Sequence, residues 1–396
     1  MAHSMFTRPV RPLVARDRGE EHRAATPLEL FFDLCFVAAA AQIGAELVHA
    51  LAAGHVLCGV LDYWTLFFGI WWAWVNFTWF ASSYDNDDVV FRVMTLVQIT
   101  GVLVFAAGIG EAFGGHDLVV CVLGYAVMRL ALVAQWLRVA RNCGGSERRM
   151  ALRYAGGIVF CQVVWQAMLL LPEGVRPWWF LVGAATELCV PAWAEQAHGT
   201  SWHPHHIAER YGLFTIIVLG ETIIAATVAL KGAVQAEDGL GELVPVAIGG
   251  LLVVFAAWWV YFGVPAHDRL LSNRQAFLWG YGHFLIFTSA AAIGPGIEIA
   301  VEQIEGKTEL SQTVANLCFT APAAVFFLAT WALHSRYYKK GAAQQFVLPL
   351  VTAALLACTL LGHAAILAAG LVCVAGIACG ITLVTRAARA EQAATS

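Results

Sequence analysis

Apolar runs of about twenty residues, each long enough to cross the hydrocarbon core of a bilayer, recur along the whole chain. The polar residues that remain cannot cover that much apolar surface in water. Only 13% of the 396 residues are charged and 60% are hydrophobic, with a mean hydropathy of +0.69. Soluble domains carry about 25% charged residues. Hydrocarbon offers backbone groups no partners, so runs of this kind must be helices. The fold class is therefore all-α: a polytopic integral membrane protein with about 12 transmembrane helices. Spans are expected at 28–51, 57–80, 90–112, 117–138, 151–171 and 177–196, then at 209–230, 243–264, 275–301, 312–334, 346–362 and 365–386. Only LGHAAI separates the last two.

The placement of Lys and Arg sets an orientation. Of the 23 such residues, Arg129 lies within a span and Arg176, Lys231 and Lys307 fall on one side; the rest fall on the other. The positive-inside rule then puts both termini in the cytoplasm, in a multi-pass protein of the cell inner (cytoplasmic) membrane. The basic tail, residues 1–25, has no apolar core and does not read as a cleaved signal peptide, which leaves the first helix as the insertion signal. Nine of the ten cysteines sit in or at the ends of apolar runs and only Cys143 in a loop, with no CxxC pair. They read as small packing residues, not as a disulfide frame or a zinc site.

The two halves echo one another. Trp71–Trp72 is repeated by Trp258–Trp259, and each pair is followed by an aspartate-containing loop, SSYDNDDVVFR and then VPAHDRLLSNR. This pattern suggests a 6+6 parallel internal repeat: residues 26–198 and 209–387, joined by a His-rich linker at 199–208 and followed by a tail at 388–396.

Charges inside such a chain are the first candidates for function, since each costs roughly 2.5–3.5 kcal/mol at a helix centre on insertion scales. Glu29 and Asp33 are four apart in TPLELFFDLCFV and share one helix face. Glu29 suits a helix start, where the dipole favours acids, whereas Asp33 is a turn deeper among phenylalanines and is a candidate for an internal polar site. Arg129, Glu187 and Glu221 fall near mid-span. An arginine stays charged and demands a partner, and the sequence leaves both Glu187 and Glu221 open for that role. Glu221 follows Gly220 and precedes Thr222, which favours it for proton exchange. Asn76, among the tryptophans of the second span, reads as an interhelical hydrogen-bonding group, and the tryptophans themselves chiefly as packing. With His283, these residues make a candidate polar path: Glu29, Asp33, Asn76, Arg129, Glu187, Glu221 and His283.

Asp85 and Asp88, with Asp87 between them and Arg92 just beyond, form a second candidate site on a cytoplasmic loop. They have the oxygens for a hard cation but lack the spacing and glycine of an EF-hand, and a solvated turn with Asp capping the next helix is the favoured account. His198, His203, His205 and His206 crowd the linker, but Pro204 interrupts them and no metal site is assigned. No Walker loop, GxSxG, HExxH or dinucleotide fingerprint occurs in a suitable context. Catalytic residues and cofactors therefore stay unknown, and no nucleic-acid partner is expected.

Four stretches together, TPLELFFDLCFV, WWAWVNFTWFASSYDNDDVVFR, ERYGLFTIIVLGETIIA and YGHFLIFTSAAAIGPGIE, resemble the bacterial low-temperature-requirement protein A (LtrA) family. The likeness runs from about residue 26 through at least 340. By that resemblance, Glu29, Phe32, Asp33, Trp72, Asn76, Asp85, Asp88, Arg92, Glu221, His283 and Glu298 occupy the family's characteristic positions. Cys35 departs from the more usual aliphatic residue, and Pro295 predicts a kink. The resemblance implies a membrane architecture and a link to growth in the cold, without a substrate.

Buried acids on a central polar path point to a transporter or ion-coupled permease, with the lipid bilayer and a small solute or proton as partners. Two further classes stay open. One is a membrane-embedded enzyme or cofactor-binding protein acting on a lipophilic substrate. The other is a structural or regulatory membrane protein.

Overall fold

The structure is a computed structural model. It describes residues 10–20, 23–114, 117–235, 240–270, 272–339 and 341–395; Arg8 and Lys340, two of the residues that the positive-inside rule puts in the cytoplasm, lie outside them. The regular secondary structure of the described residues is all helical: α1 Pro27–Ala52, α2 Val56–Tyr84, α3 Val89–Ala107, the single turn α4 Ile109–Ala112, α5 Val119–Asn142, α6 Gly145–Met168, α7 Arg176–Glu195, α8 Pro204–Gln235, α9 Leu240–Phe262, α10 Asn273–Ile304, α11 Gln312–Leu333, α12 Ala342–Cys358 and α13 Ala365–Thr395, with short 3-10 turns in the connections. Every expected span has its helix, and the run at 90–112 is divided at Gly108 into α3 and α4. Helix α10 runs through Pro295 without interruption.

Among the described residues nine helices are long and apolar enough to cross a membrane: α1, α2, α3, α5, α8, α9, α10, α11 and α13. That is fewer than about twelve, for physical reasons. Helix α6 opens with Glu147, Arg148 and Arg149, α7 carries Arg176 and Glu187, and α12 has only 17 residues. The protein is a multi-pass, all-helical membrane protein.

Two compact units form. The first comprises residues 1–43 and 61–214, the second 44–60 and 215–396. In the first unit α3 packs on α5, α5 on α6 and α6 on α7. The α3–α5 crossing needs glycine: a Cβ on Gly124 would lie 2.3 Å from the Phe105 backbone nitrogen, and one on Gly101 would lie 2.8 Å from the Gly124 carbonyl oxygen. Small residues of this kind let helix backbones approach closely where lipid supplies no hydrophobic drive. The α5–α6 hairpin is stapled by the stacked rings of Trp136 and Tyr154, 4.2 Å apart. In the second unit α10 packs on α11, α9 on α13, and α12 against both α11 and α13.

Local sequence explains where key helices begin. Thr26 and Glu29 form a reciprocal capping box: the Glu29 amide donates to Thr26 Oγ1 (3.3 Å), and the Thr26 amide donates to Glu29 Oε2 (2.8 Å). Asp88 caps α3 by accepting from the Phe91 amide at 2.8 Å.

Candidate functional site

Helix α2 organises the polar interior of the first unit. Trp72 and Trp74 are two residues apart, about 200° around a helix, and so face opposite ways. Each indole donates to a different buried carboxylate: Trp74 Nε1 to Asp33 Oδ1 at 2.6 Å, and Trp72 Nε1 to Glu187 Oε2 at 2.9 Å. The tryptophan run therefore does more than pack. It supplies donors to two separate charge networks on opposite faces of one helix.

The first network gathers around Arg210 of α8. Glu29, Asp33 and Arg210 are all 0% exposed. Arg210 grips Asp33 with two donors, Nε to Oδ2 at 3.0 Å and Nη2 to Oδ1 at 2.5 Å, the bidentate fit that a guanidinium makes to a carboxylate. Its Nη1 lies 3.0 Å from Glu29 Oε1 as a charge contact, not as an aligned hydrogen bond. The same Oε1 is 3.1 Å from His206 Nε2 and 3.6 Å from Arg23 Nη2. Glu29 thus caps its helix as expected, but in a dry, charged setting instead of a wet one.

Arg23 also reaches towards Asp85, Nη2 to Oδ2 at 3.9 Å, and donates to the Ala81 carbonyl at 2.8 Å. Burial, reinforced by the nearby Glu29 charge, pushes the Asp85 carboxyl up to about 6, with Arg23 pulling the other way. Three carboxylates, Glu29, Asp33 and Asp85, thus face two arginines. Protonating Asp85, or alternatively His206, balances the charge.

The rest of the 85–92 segment is tied down. Asp87 has a positive φ of 50°, tolerable for aspartate, and pairs through both carboxylate oxygens with Arg92, at 2.7 and 3.0 Å. Asp88 accepts two donors from Arg138 and one from the Arg11 amide. Burial opposes its charge, but Arg138 and the two amides outweigh burial and hold the carboxyl below its usual range. These oxygens are committed to arginines and amides and do not converge on a shared cation position.

The second network surrounds Glu187. Its carboxylate accepts from Trp72, from Tyr125 Oη at 2.8 Å, from Trp165 Nε1 at 3.2 Å and from Arg129 Nη2 at 2.8 Å. Arg129, 1% exposed, also approaches Asn76 Oδ1 at 3.4 Å, while its Nε and Nη1 are buried without a partner. Asn76 donates to the Trp72 carbonyl of its own helix. The open choice of partner for Arg129 is decided here: it pairs with Glu187.

In the second unit His283 is fully buried. Its Nδ1 is 2.7 Å from the Trp279 carbonyl, so that nitrogen carries the proton, and its Nε2 is 3.1 Å from Tyr261 Oη and 3.2 Å from His334 Nε2. Glu221 is half-buried in α8 and makes no hydrogen bond or ion pair with a described residue. The linker histidines do not converge on one point: the His203 and His205 rings lie 5.8 Å apart, but His203 Nε2 sits 2.9 Å from the Glu20 carbonyl, His206 faces Glu29, and His198 faces Ser146. Among the described residues no three His, Cys, Asp or Glu side chains come together as a metal site would require.

Sequence reasoning missed Arg210, Arg23, His206 and His334 as site residues. By sequence Arg210 falls among the cytoplasmic charges, just inside the expected span at 209–230. The extension of α8 back to Pro204 places Arg210 inside the helix, where a buried arginine requires carboxylates.

The profile of the bacterial low temperature requirement A protein (LtrA) family matches residues 24–380. The chain belongs to the LtrA family. It is also similar to the uncharacterized protein RA0937 of Rhizobium meliloti (strain 1021), with 26% identity over 306 residues, 72% of each chain. No solved structure matches. Of the acids on the candidate path of this LtrA-family protein, Glu29, Asp33 and Glu187 are thus buried in networks and Glu221 is not.

Proposed function

We propose that this LtrA-family protein is an ion-coupled transporter of the inner membrane, with both termini cytoplasmic, and that the Arg210 network binds the coupling proton. The observation that carries this reading is the charge imbalance of that network, three carboxylates against two arginines, with Asp85 titrating near pH 6. The charged or titratable groups around it are Arg23, Glu29, Asp87, His206 and Arg210, together with Arg16, which donates to the Asp85 carbonyl at 3.2 Å and is itself paired with Glu20, so that these last two cancel. Taking up one proton neutralises the cluster, and losing it leaves a buried net charge. A low-dielectric setting amplifies that difference, so one proton can bias a conformational equilibrium.

Two other features fit. Glu221 is a half-buried acid without a described partner, and Arg129 keeps unpaired donors for an acceptor group on a solute. On this reading two six-helix repeats alternate access to the solute, the usual mechanism for such halves.

The test is proton flux in proteoliposomes acidified inside, with amino acids, sugars and nucleosides outside. The wild type should discharge the gradient faster than empty vesicles, with a rate that changes around pH 6. Asp85→Asn should lose that pH dependence, and Glu221→Gln should lose the flux while inserting normally. Wild-type discharge no faster than that of empty vesicles would reject the coupling.

A structural role is the second reading, favoured by one observation: Asp33 and Glu187 are each fully paired in dry surroundings. It predicts large stability losses with no flux to lose.

A further inference from the structure

A groove of about 240 Å³ opens in the second unit among α9, α11, α12 and α13. That lies below the 300–1,000 Å³ usual for small-molecule pockets, so it suits a single narrow chain. Its lining is graded. Ser335, Lys339 and Gln344 lie at the end formed by the α11–α12 connection; Leu348, Val351, Cys373 and Gly376 lie deeper, along α12 and α13. Between the two zones, one helical turn before Ser335, stands Trp331, whose Nε1 is buried without a hydrogen-bond partner.

The polar end is held in place. Gln345 Nε2 donates to the Arg336 carbonyl at 2.6 Å and to the Lys339 carbonyl at 2.7 Å, which fixes the turn that carries Lys339. Lys339 makes no ion pair with a described residue. A cation at the mouth, an unpaired donor one turn deeper and an apolar channel beyond match the order of groups in a glycerophospholipid: phosphate, ester carbonyl, acyl chain.

We propose that this groove binds one acyl chain of an anionic glycerophospholipid, with its phosphate at Lys339 and Ser335 and its ester carbonyl at the Trp331 indole. The occupant is anionic because the mouth carries a lysine that has no ion pair among the described residues. It is an ester because Trp331 offers a donor below the headgroup, where a free fatty acid has only methylenes. The site is independent of the proton network proposed above.

The test uses the full-length protein, delipidated in detergent and titrated with phosphatidylglycerol or phosphatidylcholine, with bound lipid read by native mass spectrometry. A basic residue near a membrane surface favours anionic lipid by about fivefold, so phosphatidylglycerol should bind about fivefold tighter than phosphatidylcholine. Lys339→Gln should bring that ratio close to one. Gly380 lines the groove, and a Cβ there meets no atom within 4 Å, so Gly380→Leu should project into the channel without a clash at its Cβ and abolish tight binding of both lipids. Palmitate should fail to displace phosphatidylglycerol; displacement at equal concentration would overturn the ester assignment. Equal affinity of the wild type for the two phospholipids, or unchanged binding in Gly380→Leu, would overturn the site. Should Gly380→Leu not fold, a phosphatidylglycerol with a photoreactive acyl chain decides on the wild type: crosslinks within 373–381 support the groove, and their absence there rejects it.

Discussion

Arg210 is the residue on which the first unit's interior most depends. It is the only cation in contact with Asp33 among the described residues, and it shares Glu29 with His206 and Arg23. Removing one partner of a buried pair leaves an uncompensated charge and costs about 3–5 kcal/mol. Arg210→Met is therefore expected to lower stability by that order in thermal unfolding in detergent, and adding Asp33→Asn should recover part of the loss. No recovery would mean that the two residues are not coupled. Asp85 makes the opposite kind of prediction. Its folded value of about 6 lies above the ordinary 3.8, so the proton it holds stabilises the fold fully below 3.8, and that contribution is lost as pH rises through about 6. Asp85→Asn should flatten the stability profile over this window, measured as melting temperature against pH. These acids are conspicuous in the sequence because charge in an apolar run is costly. Their partners are not, because Arg23 lies in the segment before α1, and His206 and Arg210 in the polar first two turns of α8, where charge is unremarkable in a sequence.

Helices were legible wherever composition alone decides them, in all twelve expected places. Their contacts depended on single residues whose meaning is spatial. Gly124 looks ordinary in VVCVLGYAVMRL, but α3 crosses so closely there that a methyl group would overlap the Phe105 backbone. Gly124→Leu should drive α3 and α5 apart, costing at least the 1–3 kcal/mol typical of overpacking; a monodisperse gel-filtration peak and an unchanged melting temperature would contradict the close crossing. Thr26→Ala removes half of the capping box at the start of α1 and should cost about 1 kcal/mol, read in the same melt. The echoed tryptophan pairs show the limit of pattern reading. Trp71 and Trp72 are buried, whereas Trp258 and Trp259 are about half exposed. Identical dipeptides occupy different surroundings, because burial depends on what packs against a helix face and not on the face alone.

At the scale of the molecule, orientation is an expectation with a direct test. If the bias of Lys and Arg sets the topology, a C-terminal fluorescent-protein fusion should fluoresce and a C-terminal alkaline phosphatase fusion should be inactive. The reverse pattern would invert the topology. Glu221→Gln belongs to this scale as well, since it is expected to leave folding intact and remove only flux.

The sequence by itself determined that this chain lives in a bilayer, that it is helical throughout, and which acids the membrane makes costly. Those conclusions rest on composition and period, which are local. Only the tertiary structure decided that Arg129 pairs with Glu187, that Arg210 binds Asp33 and Glu29, and that α2 donates to one network from each side. Each of these joins residues between 41 and 181 positions apart. No local pattern can specify such partners, because a buried charge takes whichever counter-group the packing of other helices brings within a few ångströms.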